Sequence, residues 1–152
     1  MTTTRVRSVI IGLVGLMILL LFCLPSSGSE ISVCKNGCQF NSIQSAVNSA
    51  APGDVVNIQP DLYKENVKID KSITLRSTNS NKATISSDIP LSPVLLIEGN
   101  SIVNLHDLIV RGGYWHECVN YERGICSYGI SIVGNAEVSI NNLTVENNDK
   151  GG

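Results

Sequence analysis

Residues Leu95 to Val110 read LLIEGNSIVNLHDLIV, and 35 residues further on Ile130 to Val145 read ISIVGNAEVSINNLTV. Laid together without a gap, six of the sixteen positions are identical: Ile97 with Ile132, Gly99 with Gly134, Asn100 with Asn135, Val103 with Val138, Leu108 with Leu143 and Val110 with Val145. Leu105 faces Ile140 as a conservative match. All of these are turn or inward-facing positions, so the chain contains an internal structural repeat. In each copy a strand ends in Gly-Asn, a second carries apolar residues two apart (Val103 and Leu105; Val138 and Ile140), two polar residues bend the chain (His106-Asp107; Asn141-Asn142), and a third strand follows. Alternation by two places the apolar residues on one face. Gly and Asn both tolerate positive φ, which suits a sharp corner, and stacked copies would align Asn100 with Asn135 as a ladder of side-chain amides. The pattern describes a coil of three short strands wound around a filled interior.

Working outward, the fourteen residues Tyr114 to Ser127 have no counterpart in the other copies. Removing them from the offset leaves a plain coil of 21 residues with one decorated corner. A looser copy lies upstream, with Val67 and Ile69 matched to the second strand and Ile73 and Leu75 to the third. About three coils are expected, starting near Val55, Val94 and Gly129. Brief β-branched runs at Val55 to Ile58, Val67 to Ile69, Ile73 to Leu75, Ala83 to Ile85 and Val94 to Ile97 supply the strands. Before them, Ile43, Ala46, Val47 and Ala50 fall at i, i+3, i+4 and i+7, the stripe of a short amphipathic helix that Pro52-Gly53-Asp54 ends.

The chain opens with Arg5 and Arg7, the uncharged run Val9 to Leu24, and then Pro25 and the small residues Ser26 to Ser29, the order of a secretory signal peptide. Sixteen residues rise about 24 Å as a helix, short of the ~30 Å hydrocarbon core. The expected organisation is a signal peptide at 1–28, a cap with the amphipathic helix at 34–54, coils at 55–148 and a tail at 149–152. The location expected is secreted, extracellular or periplasmic, the alternative being a chain tethered to the membrane by an uncleaved N-terminal segment. Without residues 1–28 the chain carries 9 basic against 13 acidic residues, which argues against nucleic acid as a partner. Export also lets Cys34, Cys38, Cys118 and Cys126 oxidise. Four cysteines allow three connectivities, and proximity favours Cys34 with Cys38 and Cys118 with Cys126. His116, Cys118 and Cys126 lack a fourth ligand and zinc-like spacing, so no metal is assigned, and no cofactor either.

With these residues on view, Cys38-Gln39-Phe40-Asn41-Ser42-Ile43-Gln44-Ser45-Ala46-Val47, then Ala51 to Val56, Tyr63-Lys64-Glu65-Asn66-Val67 and Lys71 to Leu75 resemble the opening of secreted right-handed parallel β-helix proteins of the pectin-lyase-like superfamily. The similarity is to the NosD-like and carbohydrate-binding or sugar-hydrolase branch, and it covers residues 34 to 148. It implies an all-β fold, a right-handed parallel β-helix of about three coils whose N-terminal end is capped by the short helix. Pro60-Asp61-Leu62-Tyr63 departs from the pattern where a Gly usually precedes the x-Tyr step, a departure assigned to a turn. The acid clusters and motifs of the family's pectin-cleaving and de-esterifying members are missing: there is no Asp-Asp pair, Gly-His-Gly, Arg-Ile-Lys or Gln-Asp-Thr. No residue is therefore given a catalytic role.

The candidate ligand-binding residues are Tyr114, Trp115, Glu117, Tyr121, Arg123 and Tyr128, because aromatic faces beside polar groups are what sugar recognition uses. A disulfide-closed loop packing its rings on the wall of the coil is the plain alternative. The function expected is a secreted, non-catalytic β-helix module binding polysaccharide through residues 114–128. A fragment or relative of a polysaccharide lyase or pectinesterase-like enzyme lacking its catalytic coils is the competing expectation. After Val145 the chain offers no apolar residue to cover the last coil, so self-association or further coils are expected at that end.

Overall fold

The computed structural model describes residues 28–87, 89, 92–113 and 129–146. Along the chain come β1 (Glu30–Val33), α1 (Ile43–Ser49), β2 (Val55–Ile58), β3 (Leu62–Lys64), β4 (Val67–Ile69), β5 (Thr74–Ser77), β6 (Ala83–Ser86), β7 (Leu95–Gly99), β8 (Ile102–His106), β9 (Leu108–Arg111), β10 (Ile130–Gly134), β11 (Glu137–Asn141) and β12 (Thr144–Glu146). They form three sheets, ordered β1-β2-β5-β8-β11, β3-β6-β9-β12 and β4-β7-β10. Every strand pair is parallel. From β2 onward the chain visits the five-, four- and three-stranded sheets in rotation, so each strand lies beside the one three places earlier. Among the described residues the structure is mostly β, with one short helix.

The repeat in the sequence is a lateral register in space. Ile130 pairs with Leu95, Val138 with Val103 and Val145 with Val110, each at the offset of 35. Three columns of inward side chains run through the stack: Ile69, Ile97 and Ile132; Leu75, Leu105 and Ile140; Ile85, Val110 and Val145. The first two members of each column are fully buried, together with Val56, Ile58, Tyr63, Val103 and Leu108.

Several expectations change. Val67 and Ile69 sit in β4, level with Leu95 and Ile97, while Leu75 lies level with Leu105. The upstream copy is thus one strand out of phase with the reading from sequence, because inward alternation by two looks the same on every sheet. Strands of the five-stranded sheet begin at Val55, Thr74, Ile102 and Glu137, spaced by 19, 28 and 35 residues; of the expected starts, Val55 opens a strand of this sheet, whereas Val94 and Gly129 immediately precede β7 and β10 of the three-stranded sheet. Leu62 and Tyr63, read as a turn, belong to β3, where Tyr63 is fully buried. β1 was not anticipated.

The corners also differ from expectation. Gly99 and Gly134 carry the positive φ, at 82° and 85°. Asn100 and Asn135 build no amide ladder there; the Asn135 backbone N–H donates to the Gly99 carbonyl at 2.9 Å. The side-chain ladder lies one corner later, where Asp107 and Asn142, at φ 55° and 52°, are joined by Asn142 Nδ2 donating to Asp107 Oδ1 at 2.6 Å.

α1 follows the stripe read from sequence and buries Ile43, Ala46 and Val47. Its ends are held from a distance. Glu65 accepts from the Ser42 hydroxyl at 2.8 Å and from the backbone N–H groups of Ile43 and Gln44 at 3.1 and 3.0 Å. Lys71 Nζ donates to the carbonyls of Asn48 and Ala50 at 3.2 and 3.0 Å. Acid at the N-terminus and base at the C-terminus both oppose the helix dipole. Asp54, 7% exposed, accepts from the backbone N–H groups of Ser29 and Ala51 and ties β1 to the end of α1.

Candidate functional site

Strand spacing locates where this chain departs from a plain repeat. The corner from the five- to the four-stranded sheet takes three residues after β2, five after β5, one after β8 and two after β11. From the four- to the three-stranded sheet it takes two residues after β3, eight after β6 and eighteen after β9. Length added at one corner, along one side of a regular frame, is where a rigid scaffold carries its variable chemistry. The second circuit is enlarged there as well, so the excess over a plain coil does not lie in the last insertion alone.

Tyr114, Trp115, Glu117, Tyr121, Arg123 and Tyr128 all fall in that eighteen-residue connection and lie outside the described residues, as do Cys118 and Cys126, His116 and the leader segment 1–27. The pairing of Cys34 with Cys38 is present. Among the described residues, no group of three His, Cys, Asp or Glu side chains is placed to hold a metal ion, and no helix is long and apolar enough to cross a membrane.

Concavities on the described frame include two bordered largely by polar side chains. An open groove of about 680 Å³ crosses the outer face of the five-stranded sheet and is lined by Glu30, Ser32, Asn57, Arg76, Ser77, Thr78, Asn79 and Asp107. Its floor is a connected network. Arg76 Nε donates to Asn57 Oδ1 at 2.6 Å, Arg76 Nη2 to Glu30 Oε1 at 3.1 Å, and Asn57 Nδ2 to Glu30 Oε2 at 3.1 Å. Register explains it: Ser32, Asn57, Arg76, His106 and Asn141 occupy one lateral row. The reading from sequence missed this row, since only pairing across separations of 19 to 35 residues assembles it.

A smaller groove of about 550 Å³ lies over the disulfide loop, bordered by Lys35, Asn36, Gln39 and Asn41. Lys35 Nζ stands 4.5 Å above the Tyr63 ring. Burial, with the nearby charges of Asp61 and Glu65, pushes the Tyr63 phenol above its usual 10.0. Hydrogen bonding to Glu98 raises the exposed Lys68 ammonium. Both grooves are open and rich in hydroxyl and amide groups, suited to hydrogen bonding a hydrated, hydroxylated ligand. The two carboxylates of the larger groove are already engaged, Glu30 by Arg76 and Asn57 and Asp107 by Asn142.

No protein-family model matches the chain, and no curated protein matches it.

Proposed function

We propose that this chain is an exported, non-catalytic right-handed parallel β-helix module of the pectin-lyase-like kind, which binds polysaccharide through the residues 114–128 that enlarge one corner. The observation carrying this reading is the growth of that corner from two to eight to eighteen residues while the other two corners stay within five. Ordering a long connection costs conformational entropy that the fold itself does not require. That connection holds the chain's only Trp and, with Tyr114, Tyr121 and Tyr128, three of its four Tyr.

Rotation of the chain through three parallel sheets supports the β-helix, and the Cys34–Cys38 disulfide supports an oxidising location. Glycan-array binding of the wild type and of Trp115→Ala, run beside a reducing-end release assay, tests the reading. Binding that Trp115→Ala abolishes, without release of reducing ends, is expected. Measurable cleavage would replace a binding module with an enzyme, and binding unaffected by the substitution would place the sugar elsewhere.

A further inference from the structure

The loop closed by the Cys34–Cys38 disulfide reads Cys34-Lys35-Asn36-Gly37-Cys38 and holds the chain's only Asn-Gly pair. The amide carbon of an asparagine side chain lies within reach of the next residue's backbone nitrogen, and attack by that nitrogen closes a succinimide ring. Bulk on the following residue, a hydrogen bond to the side-chain amide, or a helix or ladder bond from the attacking N–H ordinarily restrains the reaction. Gly37 has no side chain, its φ is 88°, and a Cβ placed there would meet nothing within 4 Å, so the approach around its nitrogen is open. Asn36 and Gly37 are both exposed. Among the described residues, neither the Asn36 side-chain amide nor the Gly37 N–H has a hydrogen-bond partner. By contrast Asn48 and Asn79, each followed by a serine, are held. Asn48 Oδ1 accepts from Gln44 Nε2 at 2.8 Å and Ser49 lies in α1; Asn79 Oδ1 accepts from the Asn81 backbone N–H at 3.0 Å.

We propose that Asn36 is a site of spontaneous modification, deamidating through a succinimide formed with Gly37. The Gly37 nitrogen gives its proton to solvent and attacks Asn36 Cγ. The Cγ–Nδ2 bond then breaks, and ammonia leaves after taking a proton from solvent. Water opens the ring at either carbonyl. Addition at Cγ breaks the new bond to nitrogen and leaves aspartate at position 36. Addition at the main-chain carbonyl carbon breaks the original peptide bond and leaves isoaspartate, whose backbone runs through Cγ. Water is the only co-reactant.

Either product places a carboxylate in the groove over the disulfide loop, beside Lys35, whose ammonium stands above the Tyr63 ring. The isoaspartate also adds a carbon to the backbone between two cysteines that are bonded to each other, immediately before Gln39 and Phe40, which hold the edge of β1. The two products therefore share a charge and differ in backbone length.

Incubation of the purified, disulfide-bonded protein at mildly acidic and mildly alkaline pH, followed by peptide mapping without reduction, tests the proposal. The peptide carrying residue 36 should gain the mass difference between a hydroxyl and an amino group and split into aspartyl and isoaspartyl forms. Its conversion should be at least about tenfold faster than that of Asn48 or Asn79, and faster at alkaline pH because the deprotonated nitrogen attacks. Asn36→Gln, which must close a larger ring, should stay unmodified at position 36 over the same period. By amide exchange, the isoaspartyl protein should lose protection in β1 relative to the aspartyl protein. Conversion at residue 36 no faster than at Asn48 and Asn79, conversion only after unfolding in urea, or aspartate without isoaspartate would each overturn the proposal. Equal protection of β1 in the two products would overturn its reach into the closed end.

Discussion

At one end of the stack, Gln44, Gln39 and Phe40 occupy the edges of β4 and β1, while α1 lies over the interior with Glu65 and Lys71 at its termini. At the other end β10, β11 and β12 are the last strands of their sheets among the described residues, and the columns they continue stand half in water. The strands themselves are alike, since β8 and β11 share their register, their inward alternation and the left-handed corner that follows. Burial of a column position therefore depends on what lies above it and not on the residue type alone. Closing such an end takes a dedicated segment whose polar groups reach the edge of β1 seven residues away and the edge of β4 24 residues away, a demand the repeat cannot meet by itself.

The largest expected effect lies within a single column. Leu105→Ala removes a fully buried side chain between two occupied layers and should cost about 2 to 5 kcal/mol. Ile140→Ala, one layer further and 54% exposed, should cost about 1 kcal/mol. Chemical denaturation measures both. Equal losses would mean that the two layers are equally covered.

Next in size is the closure itself. Glu65→Ala leaves three donors at the start of α1 without their acceptor, among them two backbone N–H groups, and should cost about 1.5 to 3 kcal/mol. Early loss of protection in α1 by amide exchange would locate the damage at the closed end. A uniform loss across all three sheets would instead mean that the cap and the strands open as one unit.

Much of the frame was legible because a parallel stack turns a sequence offset directly into a spatial register. The offset alone places Leu95 beside Ile130 and Val110 beside Val145, and local spacing alone sets the buried face of α1. Phase was not legible, because an inward residue at every second position does not reveal which of three sheets it joins. That ambiguity displaced Val67 and Ile69 by one strand. β3 was hidden because it turns a single residue, Tyr63, into the core and so shows no alternation, and Pro60-Asp61 ahead of it reads as a turn. Glu65 as a cap, and the row Asn57, Arg76 and His106, arise from contacts across 19 to 30 residues that no local motif announces. The candidate loop has no repeat partner, so register could not position it.

A smaller effect compares two corner glycines. Gly99 and Gly134 share the left-handed conformation, at φ 82° and 85°, but a Cβ on Gly99 would meet nothing within 4 Å, whereas one on Gly134 would stand 3.0 Å from the Gly99 carbonyl oxygen. Gly99→Ala should cost about 1 kcal/mol for the strained backbone alone. Gly134→Ala should cost more, because the layer beneath must yield. Thermal unfolding of both variants ranks them, and the reverse order would show that the last layer shifts freely over the one below.

The smallest effect falls at the closed end and depends on pH. The Tyr63 hydroxyl donates to the Gln59 carbonyl at 2.9 Å from a fully buried ring, and burial together with Asp61 and Glu65 holds its pKa above 10.0. Above that pH the unfolded chain loses the phenolic proton while the folded chain keeps it. The raised pKa thus contributes stability that is fully present below pH 10 and is lost as pH rises through the folded value. Tyr63→Phe keeps the ring but removes the donor and the titration together. At neutral pH it should cost about 1 kcal/mol, the worth of one part-buried hydrogen bond. Between pH 9 and 11 the wild type should lose stability faster than the variant, so the gap between them narrows as pH rises. Urea unfolding of both proteins across that range measures the gap. A constant gap would mean that the phenol titrates alike in both states, and therefore that water reaches Tyr63 at the end of the molecule where α1 and the disulfide loop close the stack.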